Sequence, residues 1–248
     1  MGELHLDVYV ERMRREYKAA VTVGAPKVSY REAPVVEAAY DYRHKKQTGG
    51  SGQYAHVVGR LIPLPDNAPA PYEFEDNVTG GRVPREYIPA VNKGFQEATK
   101  KGPLAGYPIV GVKMCLDDGS YHDVDSSEMA FRIAAIEAFK QAFLKSRPAL
   151  LEPIMKVEVE TPPQFQGAVV GDLNSRRGMI LGTENKGAYT AITAEVPLAN
   201  MFGYATIVRS LSQGMATFTM EMSRYGRVPQ KIAEEIIAER RKPQLARK

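Results

Sequence analysis

Cysteine occurs once in the 248 residues, at Cys115, so no disulfide can form within the chain and no cysteine cluster can hold a metal. It lies in the apolar run 108–116, where a buried structural thiol is expected, because nothing electropositive nearby would activate a nucleophile. Histidine is scarce too. The four stand at 5, 44, 56 and 122 without the H-x-x-x-H spacing of a zinc site, so no metal is expected. No Gly is followed by Lys, which excludes the G-x-x-x-x-G-K-[ST] phosphate loop and with it a P-loop nucleotide site. No apolar stretch reaches bilayer-spanning length, and Met1-Gly-Glu-Leu-His5 lacks the basic-then-apolar order of a signal peptide. These absences predict a cytoplasmic chain with no membrane partner.

What is present is an ordinary globular balance, 44% apolar and 25% charged residues, in a chain long enough for two compact domains. The formal charge of +4 is compatible with a polyanionic partner but too small to identify one. Leu4, Val8 and Met13 recur near helical spacing over 2–17, and 19–23 reads as a strand. A lone helix and strand bury nothing, so this opening segment is expected to be the remnant of a domain that begins upstream.

From Pro34 the pattern turns to strands. Residues 35–42 and 53–64 flank the hydrophilic stretch 44–52, predicting a hairpin with a long flexible tip, and 72–78 and 109–116 are further strands. Pro84 opens a helix with Tyr87, Val91, Phe95 and Ala98 on one face, stopped by Lys100-Lys-Gly-Pro103. After a loop at 117–124, Asp125 is the expected cap of a helix over 126–146, with Glu128 reaching back in a capping box. Its apolar face carries Phe131, Ala135, Ala138, Phe139, Ala142 and Phe143. Beyond Pro153 come strand 155–160, helix 165–175, strands 179–183 and 189–195, helix 201–212 and strand 216–222. This β-α-β-β-α-β order is the ferredoxin-like layout, and a last helix begins near Pro229.

The run Gly49-Gly-Ser-Gly52 can expose amides to a phosphate or simply supply turn conformations. Beside it lie Arg43, His44, Lys45, Lys46, Gln47 and Thr48, with the rings of Tyr40, Tyr42 and Tyr54. Cations hold a nucleic-acid backbone, amides and hydroxyls read edges, and rings stack; the other reading is a solvated loop. His122, Asp123 and Ser126 are the elements of a small hydrolase. Triads assemble from distant positions around a strained turn, however, and no G-x-S-x-G is present. His122 is therefore a loop residue, either without special role or placed for recognition at an exposed tip. Arg176 and Arg177, at a helix end, either complement the helix dipole or clamp an RNA phosphate.

At these residues the sequence resembles bacterial elongation factor G. The resemblance is carried in order by Gly2-Glu-Leu-His-Leu6, Gln47-Thr-Gly-Gly-Ser-Gly-Gln-Tyr54, Glu86-Tyr-Ile-Pro-Ala-Val91 and Gly102-Pro-Leu-Ala-Gly-Tyr-Pro108. It continues through Gly119-Ser-Tyr-His-Asp-Val-Asp-Ser-Ser-Glu128, Leu151-Glu-Pro-Ile-Met-Lys-Val157, Gly171-Asp-Leu-Asn-Ser-Arg-Arg-Gly178 and Met201-Phe-Gly-Tyr-Ala-Thr206. It implies an α+β fold in three parts. These are the end of domain III over 1–33, domain IV over 34–153, and a ferredoxin-like domain V with a terminal helix over 154–248. Domain IV would be ribosomal-protein-like, with a left-handed βαβ crossover.

The family's activity is GTP-driven movement of tRNA and mRNA on the ribosome, and ribosome recycling. The resemblance thus implies that this chain is no enzyme and holds no cofactor, GTP and Mg being bound by the amino-terminal domain of a parent GTPase. The implied partners are the ribosome, its rRNA, the tRNA–mRNA duplex of the decoding region and the parent's GTPase domains, with the chain a monomer. His122 and Asp123 become one tip loop and Gln47, Thr48, Gly49 and Gly50 its neighbour, with Lys45, Lys46 and Ser51 beside them. Arg176 and Arg177 become rRNA contacts. Glycines would let the backbone approach an A-form minor groove, which is read by shape. Two departures stand out. Ser51 occupies a position that is commonly Arg, and Ala55 one that is commonly Gly, which leaves a paralogue specialised for recycling as the alternative.

Overall fold

The computed structural model describes residues 27–47 and 49–245; the helix expected over 2–17, the strand over 19–23 and Thr48 lie outside them. The described residues form nine strands and five α-helices in two compact units, one of 30–151 with 227–245 and the other of 152–226 with 27–29.

The first unit begins with β1 (Arg31–Ala33). It continues through β2 (Ala38–Lys46), β3 (Gln53–Pro63), β4 (Tyr72–Asp76), α1 (Ile88–Thr99), β5 (Val112–Ser120) and α2 (Glu128–Lys145). A four-stranded sheet runs in the order β2-β3-β5-β4, antiparallel except for β4 and β5. That parallel pair is joined through α1, which makes the βαβ unit. One face of the sheet is apolar by alternation: Ala38 and Tyr40, then Ala55, Val57 and Leu61, then Val112, Met114 and Leu116. Against it lie Val91, Phe95 and Ala98 of α1 and the Phe131, Phe139 and Phe143 stripe of α2. Small residues of α2 (Ala134, Ala135, Ala138, Ala142) let that helix approach closely, and each buried Phe contributes roughly 1.5–3 kcal/mol.

The opposite face meets solvent, and that explains two displaced boundaries. β2 continues through Arg43, His44, Lys45 and Lys46, which pair with His56, Ala55, Tyr54 and Gln53, so Lys45 and Lys46 stand on a strand rather than in the hairpin loop. β5 likewise continues through Asp117 to Ser120, where a loop was expected. Polar side chains are compatible with a strand whose outer face is wet. The pairing of β3 with β5 shifts register at Gly59, where an added Cβ would stand 1.9 Å from the Cys115 carbonyl. Tyr40 Oη donates to that carbonyl at 2.7 Å, and Cys115 itself is buried, its thiol pKa pushed up by burial. The cap of α2 is Ser127, whose side chain accepts from the Ala130 amide, and the expected Asp125–Glu128 capping box does not form. Glu128 is the first helical residue, where its charge suits the dipole.

Glu32 on β1 is fully buried. Its carboxylate accepts the amides of Leu104, Ala105 and Tyr107 at 2.8, 3.0 and 2.8 Å, which gives the loop 102–107 its shape. Burial pushes this carboxyl pKa up, and the surrounding amides pull it back.

The second unit is built on β6 (Ala149–Thr161), α3 (Gln166–Ser175), β7 (Met179–Lys186), β8 (Tyr189–Pro197), α4 (Tyr204–Leu211) and β9 (Thr217–Arg227). Its strands lie in the order β9-β6-β8-β7, the expected ferredoxin-like sheet. Val157, Val159, Ile192, Ala194 and Val196 pack on Val169, Leu173, Tyr204 and Val208 of the two helices. The last helix, α5 (Gln230–Leu245), was expected with 154–248 but groups with the first unit. The Val228 amide donates to Leu150, and Arg240 and Arg241 donate to carbonyls of the loop 102–107.

Candidate nucleic-acid interface

Two loops meet at one end of the first unit. The hairpin β2–β3 turns over 47–52, and Gly49 takes φ +40 with nothing near its missing side chain, so this turn needs glycine and leaves it open to a ligand. Gln47, Gly49, Gly50 and Ser51 are all exposed. The second loop, 121–127, follows β5 and is moored to the hairpin by Tyr54. Tyr54 donates its amide to Asp125 at 2.9 Å and accepts the Ser126 hydroxyl on its carbonyl at 2.7 Å. Its ring lies 6.3 Å from that of His122, and a Cβ on Gly52 would come within 3.0 Å of Asp125 Oδ2. His122, Asp123 and the hairpin residues are thus brought together, as the sequence implied.

The internal bonds of the second loop orient the His122 ring. Its Nδ1 accepts the amides of Val124 and Asp125 at 3.2 and 3.1 Å. Asp125 Oδ2 also lies 3.6 Å from Nδ1, an ion pair only if that nitrogen carried a proton. With two amides donating to Nδ1, the ring proton is assigned to Nε2, for which the described residues offer no hydrogen-bond partner. Ser126 Oγ accepts the His122 amide at 2.9 Å while its own proton goes to Tyr54. Ser126 is therefore a stitch between loops and not a hydroxyl set against an imidazole base, which removes the His122/Asp123/Ser126 hydrolase. Val124, 77% exposed, adds an apolar knob to the tip.

Behind the tip a chain of side chains crosses the wet face of the sheet. Tyr54 Oη, Ser120 Oγ, His56 and Asp41 are linked at 2.7, 2.9 and 2.7 Å. Ser120 sits on a strand directly opposite His56 rather than on a strained turn, so this is a cross-strand brace. Further along, Arg60 pairs with Asp117, Lys113 with Glu75 and Arg82 with Asp118. Arg60 is the first cause of an Asp117 pKa below the ordinary carboxylate range.

In the second unit the expected arginine clamp is turned inward. Arg177, held at φ 59, makes a bidentate pair with Glu152 at 2.9 and 3.1 Å and also donates to Asn200; Glu152 is 2% exposed. Arg176 caps α3, bonds Asp172 and the Asn200 carbonyl, and lies over the Tyr204 ring. Both guanidinium groups brace the domain.

Comparison with known proteins agrees with this architecture. Residues 26–147 match the family model for elongation factor G, domain IV, and 149–236 match that for the elongation factor G C-terminus. The chain belongs to the elongation factor G family. It is 57% identical over 246 residues to elongation factor G of Rhodopirellula baltica, covering 99% of this chain and 35% of that protein. With elongation factor G 1 of Syntrophus aciditrophicus it shares 56% identity over 239 residues, 96% of this chain and 34% of that one. A crystal structure of a Thermus thermophilus protein superposes with TM-score 0.85 at 44% identity, over 97% of this chain and 36% of that one. The chain thus spans about a third of the length of these elongation factor G relatives.

The loop residues of this domain IV were legible in the sequence, but their mooring was not. In the sequence Tyr54 offers a stacking ring and Ser126 an element of a hydrolase, whereas in the fold both join the two loops. Their signal was a polar residue on either side of the junction, one near the start of β3 and one just before α2, which becomes specific only once the register is known.

Proposed function

We propose that this chain is the ribosome-facing part of an elongation factor G, the part that a GTPase domain of the parent protein drives during movement of tRNA and mRNA. The two tip loops enter the decoding region of the small subunit and meet the codon–anticodon duplex. The observation that carries this reading is the joint tip: an exposed Gly49–Gly50 backbone in the loop neighbouring an exposed His122 whose Nδ1 is taken up within its own loop and whose Nε2 is left for a partner. Exposed backbone and one donor suit recognition of minor-groove shape and 2′-hydroxyls, which every codon shares. Lys45, Lys46 and Ser51 flank the tip, the two lysines holding phosphates. Arg176 and Arg177 support the rRNA-facing domain V from within, and a direct phosphate contact would require them to leave Glu152 and Asp172. GTP and Mg belong to the rest of the parent, since no Gly-Lys pair exists here. The setting is the cytoplasm, and the factor acts as a monomer.

The test is translocation by the full-length parent carrying His122→Ala, Gly49→Val or Gly50→Val. Each is expected to slow the movement, and a wild-type rate with all of them overturns the tip reading. Ser51, at a position where arginine is common, favours a second reading, a paralogue devoted to ribosome recycling. Under that reading the parent splits ribosomes at full rate but translocates slowly, and Ser51→Arg raises translocation.

A further inference from the structure

On another part of the first unit, residues 101–106 and the last turns of α5 enclose a cleft of about 240 Å³. Among the described residues its charged lining consists of Lys101, Arg240 and Arg241, and neither Asp nor Glu contributes. That sets it apart. Arg60, Arg82, Arg132, Arg176, Arg177 and Arg224 all face a carboxylate. Arg240 and Arg241 instead direct one donor each to the carbonyls of Ala105 and Leu104, at 3.3 and 3.1 Å. Arg240 also lies 4.7 Å over the Tyr107 ring. A carbonyl and a ring face hold a guanidinium in place without neutralising it, and most of its N–H donors stay unused.

Glu32 is the reason those carbonyls are available. It takes the amides of Leu104, Ala105 and Tyr107, so the loop turns donors toward Glu32 and leaves the Leu104 and Ala105 oxygens to α5. Lys101 lies along the same loop, its Cε 3.6 Å from where a Cβ on Gly106 would stand. Three cations are thereby brought to one cleft, two of them pre-positioned, so a ligand loses less side-chain freedom on binding.

We propose that Lys101, Arg240 and Arg241 form a phosphate-binding site, which takes the group either free or as part of an RNA backbone. Planar guanidinium forks beside an ammonium match the oxygens of a phosphate. The site stands apart from the tip loops and survives if their reading fails; only its RNA form rests on the ribosome-facing role.

The test titrates the ¹⁵N-labelled full chain with inorganic phosphate against sodium chloride of equal ionic strength, following the arginine Nε–Hε resonances. Saturable shifts of Arg240 and Arg241 are expected. Lys101→Gln and Arg241→Gln are each expected to weaken binding about fivefold. Amide exchange along α5 shows whether a variant has loosened the helix, and Lys101→Gln, which removes no bond to α5, keeps the test decisive if Arg241→Gln does. Single-stranded oligouridine is then added. Displacement of phosphate assigns the site to an RNA backbone, and persistence of the phosphate shifts assigns it to free phosphate. Absence of saturable shifts with either probe, or unchanged affinity in both variants, overturns the site.

Discussion

His122 carries two separable roles, and two substitutions divide them. Its Nδ1 closes the tip loop by accepting the amides of Val124 and Asp125 at 3.2 and 3.1 Å, while Nε2–H points away from those bonds. Neutral hydrogen bonds contribute about 0.5–1.5 kcal/mol each, and long bonds in an exposed loop fall at the low end. His122→Ala is therefore expected to cost about 1 kcal/mol locally, which raises the loop-opening constant roughly fivefold. Global stability should hardly change, because the loop adds nothing to the apolar core. His122→Asn offers a side-chain oxygen to the same two amides, in the manner of an Asx turn, but has no Nε2 donor. Amide exchange of Val124 and Asp125, measured by NMR on this chain, should speed up in His122→Ala and return toward wild type in His122→Asn. Translocation by the full-length parent then reads the other role: if the Nε2–H contacts RNA, His122→Asn stays slow although its loop is intact. Unchanged protection of both amides in His122→Ala would refute the loop-closing argument.

Glu32→Gln leaves one acceptor for three amides around a buried side chain and should destabilise the first unit by about 2–4 kcal/mol, seen as a lower urea midpoint for the circular-dichroism transition. A loss below roughly 0.5 kcal/mol would mean that Glu32 does not organise its loop. Gly59→Ala forces a methyl group into the Cys115 carbonyl and should lower stability by about 2–3 kcal/mol in thermal melts, with wild-type behaviour contradicting the bulge geometry. Arg60 depresses the Asp117 pKa, and a depressed acid contributes stability that is complete above its unfolded value of about 3.9 and lost as pH falls through the folded one. Below about pH 4, wild type should therefore lose stability more steeply than Asp117→Asn, and parallel acid-denaturation curves would deny the coupling.

The parts that sequence made legible are those where pattern and environment coincide. The Phe131–Phe139–Phe143 stripe, the β-α-β-β-α-β order and the Val91–Phe95–Ala98 face all alternate between core and solvent as their periods require. Misplaced boundaries fell where a strand leaves the core. His44 to Lys46 and Asp117 to Ser120 read as loops because they are polar, yet each is held by backbone pairing to β3. Glu32, buried and bonded to a loop more than 70 residues away, carried no local signal at all. The partners of the arginine pair were hidden for a similar reason. Its partners Glu152 and Asn200 are remote in the chain, and a helix-end reading cannot see them.

Charge on the wet face of the first unit's sheet is distributed unevenly, and this sets a test of the tip as an RNA contact. Arg60 faces Asp117 and Glu37, so its positive charge is largely cancelled before any partner arrives. Among the described residues, Arg43, Lys45 and Lys46 have no carboxylate within ion-pair distance, and they stand at the end of β2 that leads into the hairpin tip. Positive potential is thereby concentrated where the loops are, although the chain as a whole carries only +4. Each cation that neutralises a phosphate steepens the fall of log affinity with log salt by about 0.7–0.9. Lys45→Gln and Lys46→Gln should each flatten the slope by about that amount when binding of this chain to small ribosomal subunits is followed across a potassium chloride series. Arg60→Gln should leave the slope where it was, because its charge releases no counterion from RNA. Equal flattening by Arg60→Gln and Lys45→Gln would show that net charge alone governs binding, and that the tip has no privileged contact.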